Sequence, residues 1–262
     1  MKIIVCVKQV PDTTEVRIDP KTGTLIREGV PSIVNPDDKH AVEEALRLKE
    51  EHGGTVTAIS MGPPQADEAL REVSAMGVDD VVLLCDRAFA GADTLATSYA
   101  LATCIKKLEK FDLVLCGREA IDGDTAQIGP QIAEYLGIPQ ITYVRSLELK
   151  GKKVVCERAL EDGYEVIEAR LPALLTVIKE INTPRFPTVR GIVEAYREKE
   201  VKVWGAGDIG ADPMQIGLNG SPTSVHRSFA PEPKGKGVVL DPKAGELANL
   251  LLEKLLEKNV LR

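Results

Sequence analysis

At 262 residues the chain is long enough for one large domain, or for a domain with an added arm. Its 44% hydrophobic and 28% charged residues describe an ordinary globular protein, and it lacks the apolar run of about 18 residues that membrane insertion needs. A formal charge of -7 and only 4% aromatic residues exclude a nucleic-acid-binding surface.

The opening "MKIIVCVKQV" is too short in its apolar part, and lacks a cleavage site, to be a secretory signal. It reads as a buried strand over 2–7. A small hairpin around Lys21 to Gly23 is expected over 16–29. Residues 35–53 spell a helix: Asn35 can cap it, Pro36 suits its first position, and Gly53 ends it. Val42, Ala45, Leu46 and the stem of Lys49 form its inner stripe, while Glu43, Glu44, Glu50 and Glu51 read as its wet face. His40 and His52 lie on this helix or at its end and read as solvated.

A strand over 55–60, a helix over 63–77 and a strand over 80–85 follow, the helix burying Ala66, Ala69, Leu70, Val73 and Met76. Asp93 or Thr94 caps the next helix, which runs to about Lys110. "LVLCG" (113–117) is the fourth strand of the series, and a helix from about Thr125 to Leu136 comes after it. Strands alternating with helices this long imply right-handed crossovers and a mostly parallel sheet. The texture then changes. Residues 141–177 alternate, with tight turns at 150–152 and 162–163, and read as an antiparallel meander. "NTPRFPTVR" (182–190) is an exposed proline-rich loop, and 205–236 an extended Gly/Pro/Ser-rich arm. The last helix carries Leu247, Leu250, Leu251, Leu255 and Val260 in one stripe, which packs on the chain's own body or on a partner subunit.

In such a sheet a ligand sits beyond the carboxyl ends of the strands. The linings there are Cys6 to Lys8, Ser60 to Gly62, the residues from Asp86, and Gly117 to Gly129. The last of these, "GREAIDGDTAQIG", puts Gly123 and Thr125 before free helical N–H groups, a favourable place for phosphate. Asp122 and Asp124 would repel phosphate unless one caps the helix or accepts a ribose hydroxyl; a plain capped loop is the alternative. No GxxxxGK[ST] is present. "GAGDIG" (205–210) matches GxGxxG but is set aside, since no strand–helix unit is expected around it. No GxSxG elbow or paired histidines mark a catalytic centre. The five cysteines form no CxxC and read as buried reduced thiols, without a metal.

Several blocks in order, "VCVKQVPD", "NPDDKHAVEEALRLKE", "SMGPPQADEALREVSAMGVD", "LVLCGREAIDGDTAQIGPQIAEYLGIPQ" and "LPALLTV…NTPRFPT", resemble the beta subunit of electron transfer flavoprotein over essentially the whole chain. The resemblance implies a doubly wound α/β fold of the HUP-like, adenine-nucleotide-binding class with an added meander. Its nucleotide domain would span 1–204 and its arm 205–262. It implies an alpha-subunit partner carrying the electron-transferring FAD, with the arm reaching across to it. Family contacts carry over onto Cys6, Asn35, Pro36, Asp37, Asp38 and Met61, and onto Gly117, Arg118, Glu119, Ala120, Ile121, Asp122, Gly123, Asp124, Thr125, Ala126, Gln127 and Ile128. The ligand there is AMP in the simple electron carriers. "DGDTAQIGP" and "FAGADTLATSYA" resemble instead the bifurcating members, whose beta subunit holds a second FAD that takes hydride from NADH. One electron then goes to the alpha flavin and an acyl-CoA dehydrogenase-type partner, the other to ferredoxin or flavodoxin. Gly123 gives room for a pyrophosphate, Thr125 adds a donor, and Asp93 and Thr94 join the site or merely cap their helix. The resemblance also implies that the loop 182–192 docks the dehydrogenase, with Val189 at the apolar anchor position. A cytoplasmic redox subunit without an acid, base or nucleophile of its own is the resulting expectation. A free-standing nucleotide-binding regulatory module is the remote one.

Overall fold

The computed structural model describes residues 1–12, 31–108, 110–226, 237, 239–240 and 244–261. The hairpin expected over 16–29 and residues 227–236 of the expected arm lie outside the described residues. In chain order the elements begin with β1 (Lys2–Cys6), β2 (Gln9–Pro11), β3 (Ser32–Val34), α1 (Pro36–His52), β4 (Thr55–Met61), α2 (Asp67–Met76) and β5 (Asp80–Leu84). Next are α3 (Thr94–Lys107), β6 (Leu113–Gly117), α4 (Ile128–Leu136), β7 (Gln140–Lys150), β8 (Lys153–Leu160), β9 (Gly163–Arg170) and β10 (Ala173–Val177). Then come α5 (Val189–Arg197), β11 (Lys202–Trp204), α6 (Ala206–Ile209) and α7 (Ala244–Glu257).

The main sheet runs β11-β5-β4-β1-β6-β10-β7-β8-β9. Every neighbouring pair from β11 to β7 is parallel, and β7-β8-β9 is an antiparallel meander. The two-residue period of β1 explains the layering. Ile3 and Val5 point into a core shared with α1 and α2, while Ile4 and Cys6 point into one shared with α3 and α4. Helices therefore cover both faces, which makes the fold doubly wound. Fully buried side chains such as Leu70 and Ile105 contribute about 1.5–3 kcal/mol each. The chain leaves β1 toward β4 and β5, then returns to the other side of β1 as β6. The strand order thus reverses between β1 and β6, which opens a crevice at their carboxyl ends.

Three local expectations are corrected. β10 is not part of the meander: "ALLTV" is buried throughout and lies between β6 and β7, as a continuous apolar run in a parallel strand should. α4 starts at Ile128 rather than Thr125, leaving Thr125 to Gln127 in the loop. "GAGDIG" does sit in a strand–helix unit, because β11 pairs with β5 and α6 follows. That helix is one turn long, and the carboxylates of Asp86 and Asp208 accept the N–H groups of Ala206 and Gly205, so it offers no anion site.

One compact unit of the chain runs to His226, and α7 belongs to a second. Residues 205–226 pack within the first unit through buried Ile209 and Ile216. Of the second unit, α7 leaves Leu247, Leu251, Leu252 and Leu256 about half-exposed.

Candidate functional site

At the reversal point the carboxyl ends of β1, β4 and β6 and the amino ends of α3 and α4 enclose a cavity of ≈ 700 Å³. Its floor is apolar. Cys6 and Cys116 are in register on β1 and β6, and Met61 ends β4. A hydrogen bond to Cys116 and burial hold the Cys6 thiol well above its usual pKa, so it serves as a neutral wall and not as a nucleophile.

The two helices present different N-termini. Asp93 caps α3, its Oδ1 accepting from the N–H groups of Leu95 and Ala96 and its Oδ2 from the N–H and hydroxyl of Thr223. α4 has no side-chain cap: Gln127 turns its Oε1 instead to the Thr94 hydroxyl at 3.1 Å. Gln131 also bonds Thr94, and Ser98 bonds Gln131, which ties the two helix starts together. The first N–H groups of α4 thus remain as donors at the cavity wall.

The loop between β6 and α4 is tightly specified. Asp124 and Ala126 adopt φ 44° and 52°, strained values for residues with a Cβ. A Cβ on Gly117 would lie 2.4 Å from Asp38 Oδ1 and 2.7 Å from the Asp37 backbone, so only glycine lets α1 press on the end of β6. Among the described residues a Cβ on Gly123 would meet nothing within 4 Å, and none of them demands that glycine, which lines the cavity. Asp122 pairs with Lys8 Nζ at 2.6 Å, which neutralises the charge expected to repel a phosphate. Arg118 Nε is buried without a hydrogen-bond acceptor among the described residues, Asp37 Oδ2 standing 3.6 Å away.

Of the nominated residues, Asn35, Pro36, Asp37, Ile121 and Asp124 are not on the cavity wall, and the others line it. Asn35 is also not the expected cap. Although it occupies the N-cap position of α1, its side chain makes no capping bond and reaches the loop after β6 instead. Asp38 is buried and accepts from the N–H groups of Lys8 (2.8 Å) and Gly117 (3.2 Å). Burial raises its carboxyl from 3.8 to about 7, against the opposing pull of Asn35 and those two N–H groups. Sequence reasoning missed several contributors, among them Gln9, Ser32 and Gln65 on the wall. The pairing of Lys8 with Asp122 spans the fold, and Val225, from the expected arm, lines the cavity.

A second cluster lies along α1. Glu43 and Glu44, read as wet, are buried at 6% and 5% exposure. Arg185 bonds Glu43 and Glu50. Asn182 donates to Glu44 and to the His40 carbonyl, and its two oxygens face His40 Nδ1, so His40 donates from that atom instead of standing free in solvent. These bonds hold a loop on which Phe186 and Val189 are 92% and 82% exposed. Val189 is the first residue of α5 rather than a loop tip, and the Thr188 hydroxyl caps that helix.

The model of the electron transfer flavoprotein domain matches residues 22–208. Curated relatives align over the full length of both chains. The electron transfer flavoprotein subunit beta of Thermoanaerobacterium thermosaccharolyticum is 58% identical, covering 100% of each chain. The caffeyl-CoA reductase-Etf complex subunit CarD of Acetobacterium woodii is 57% identical, and the acryloyl-CoA reductase electron transfer subunit gamma of Anaerotignum propionicum is 48% identical, each again covering 100% of both chains.

Proposed function

Because this chain belongs to the electron transfer flavoprotein family, in its beta-subunit branch, we propose that its cavity holds an FAD that is reduced by NADH. The size of the cavity carries the reading. At ≈ 700 Å³ it suits a dinucleotide, whereas AMP, with fewer than half the atoms of FAD, would leave much of it empty. Bound there, an FAD would supply the redox chemistry, namely hydride acceptance from NADH and single-electron transfer to an alpha-subunit FAD and to ferredoxin or flavodoxin.

The chain's own residues bind and shield. The uncapped start of α4 and Arg118, whose Nε has no hydrogen-bond acceptor among the described residues, offer donors to a pyrophosphate. Lys8 keeps Asp122 neutralised, Gly123 leaves space, and Cys6 and Met61 keep the floor dry. No acid, base or nucleophile is assigned. The leucine stripe of α7 packs on an alpha subunit, and an acyl-CoA dehydrogenase-type flavoenzyme docks at Phe186 and Val189. Two relatives carry names of CoA-thioester reductase systems, which suits that partner. The complex works in the cytoplasm in this reading; no described helix is long and apolar enough to cross a membrane.

A cofactor count tests the proposal. The chain is co-expressed with its alpha partner, and FAD and AMP are quantified after denaturation. Two FAD per heterodimer and no AMP support it; one FAD with one AMP replaces it with a structural nucleotide in a simple electron carrier.

A further inference from the structure

We propose that Asn35 is a positioning residue that shapes the nucleotide loop from behind without touching the nucleotide. The inference rests on the nucleotide-binding reading above and concerns a residue for which the family resemblance alone implies direct contact.

Asn35 is fully buried and absent from the cavity wall. Both ends of its carboxamide are engaged by the loop backbone. Nδ2 donates to the Glu119 carbonyl at 2.8 Å, and Oδ1 accepts from the Ile121 N–H at 3.1 Å. A primary amide donates and accepts at separate atoms in this way; an ionised carboxylate has no donor and an ammonium no acceptor. The Asn35 backbone N–H donates to the Lys8 carbonyl at 2.9 Å. Asp38, one turn on, accepts from Lys8 and Gly117 with its two oxygens.

The first turn of α1 therefore joins the end of β1, the end of β6 and the loop between β6 and α4. These segments flank the reversal point. The loop they hold includes two strained residues, Asp124 and Ala126, and such a shape persists only when surrounding bonds over-determine it. Asn35 has given up the capping role its position invites, which leaves its amide free for the loop.

The test uses the heterodimer with Asn35→Ala and Asn35→Asp. Hydrogen exchange of peptides spanning 118–124 is measured in nucleotide-stripped protein, and affinities for FAD and AMP by calorimetry. In Asn35→Ala, loop protection in the stripped protein is expected to fall about tenfold, and affinity for whichever nucleotide the wild type binds by a similar factor. Asn35→Asp keeps the acceptor for Ile121 but sets a second oxygen against the Glu119 carbonyl, so with the carboxylate ionised both losses should be at least as large as in Asn35→Ala, and they should shrink at low pH, where the protonated carboxyl can donate. If Asn35→Ala does not fold, the aspartate variant decides alone. Weakened binding with unchanged protection in the stripped protein would mean direct contact and overturns the proposal, as does an unchanged value of both. If the wild type binds neither FAD nor AMP, the nucleotide reading fails on its own, while the exchange contrast still decides whether Asn35 holds the loop.

Discussion

The loop after β6 and the loop spanning 182–188 are both held by α1, but by different chemistry. The first is fixed by a buried amide that bonds its main chain, next to a buried carboxyl that bonds the end of the strand it leaves. The second is fixed by Arg185, one-third exposed, whose guanidinium pairs with Glu43 and Glu50 and whose backbone N–H donates to Glu43, and by Asn182 against His40 and Glu44. The difference follows from what each loop presents. A concave site needs its backbone N–H groups aimed, and only directional hydrogen bonds to the main chain do that. An exposed apolar pair such as Phe186 and Val189 needs only to be kept in place, and charge pairs on a neighbouring helix suffice.

The comparison breaks most visibly at Arg185. Arg185→Ala strands Glu43 in a buried setting, with an expected loss of about 3 kcal/mol in urea denaturation. Its nucleotide content should not change; if it falls, the two anchors are not independent. Gly117→Ala forces the start of α1 off the end of β6, with an expected loss of about 2 kcal/mol and of bound nucleotide, while exchange protection of 182–188 is kept.

Asp38→Asn sharpens the contrast through pH. Because burial raises this carboxyl from 3.8 to about 7, the native state keeps a proton that the unfolded chain has released between those values. Its contribution to stability is therefore present at low pH and declines as pH rises from about 4 to 7, by up to about 1.4 kcal/mol per pH unit. The asparagine variant should lack that slope relative to wild type; an unchanged difference across this range would falsify the assignment. The smallest effect is expected at Gly123, where alanine should alter stability by about 0.5 kcal/mol or less because its Cβ meets nothing. Gly123→Asp, equally tolerated by the fold, should lose FAD more than AMP. Full flavin in that variant would remove the loop from the argument.

The alternation of strands and helices was legible in the sequence because each apolar period belongs to one element. So was the carboxyl edge as the site, since β6 ends in a glycine followed by a loop without apolar periodicity. What stayed hidden depends on partners far along the chain. Asn35 reads as a cap because capping is a local preference, and its actual partners are 84 and 86 residues away. Glu43 and Glu44 read as solvated because acids usually are; their burial depends on Arg185 and Asn182, more than a hundred residues later. β10 carried a readable sign in its unbroken apolar run, but adjacency to the meander masked it. The buried Ile209 and Ile216 stand among glycines and prolines, where a two- or four-residue period cannot show.

Anchoring two loops on one helix also makes α1 a ruler. Its marks are residue numbers: 35 and 38 for one loop, 40, 43, 44 and 50 for the other. One residue inserted or deleted between those sets would turn one set about 100° against the other. Substitutions that keep the hydrogen-bonding type can be absorbed, but a change of length there cannot. Engineering that lengthens or shortens this chain should therefore fall outside residues 35–50 altogether.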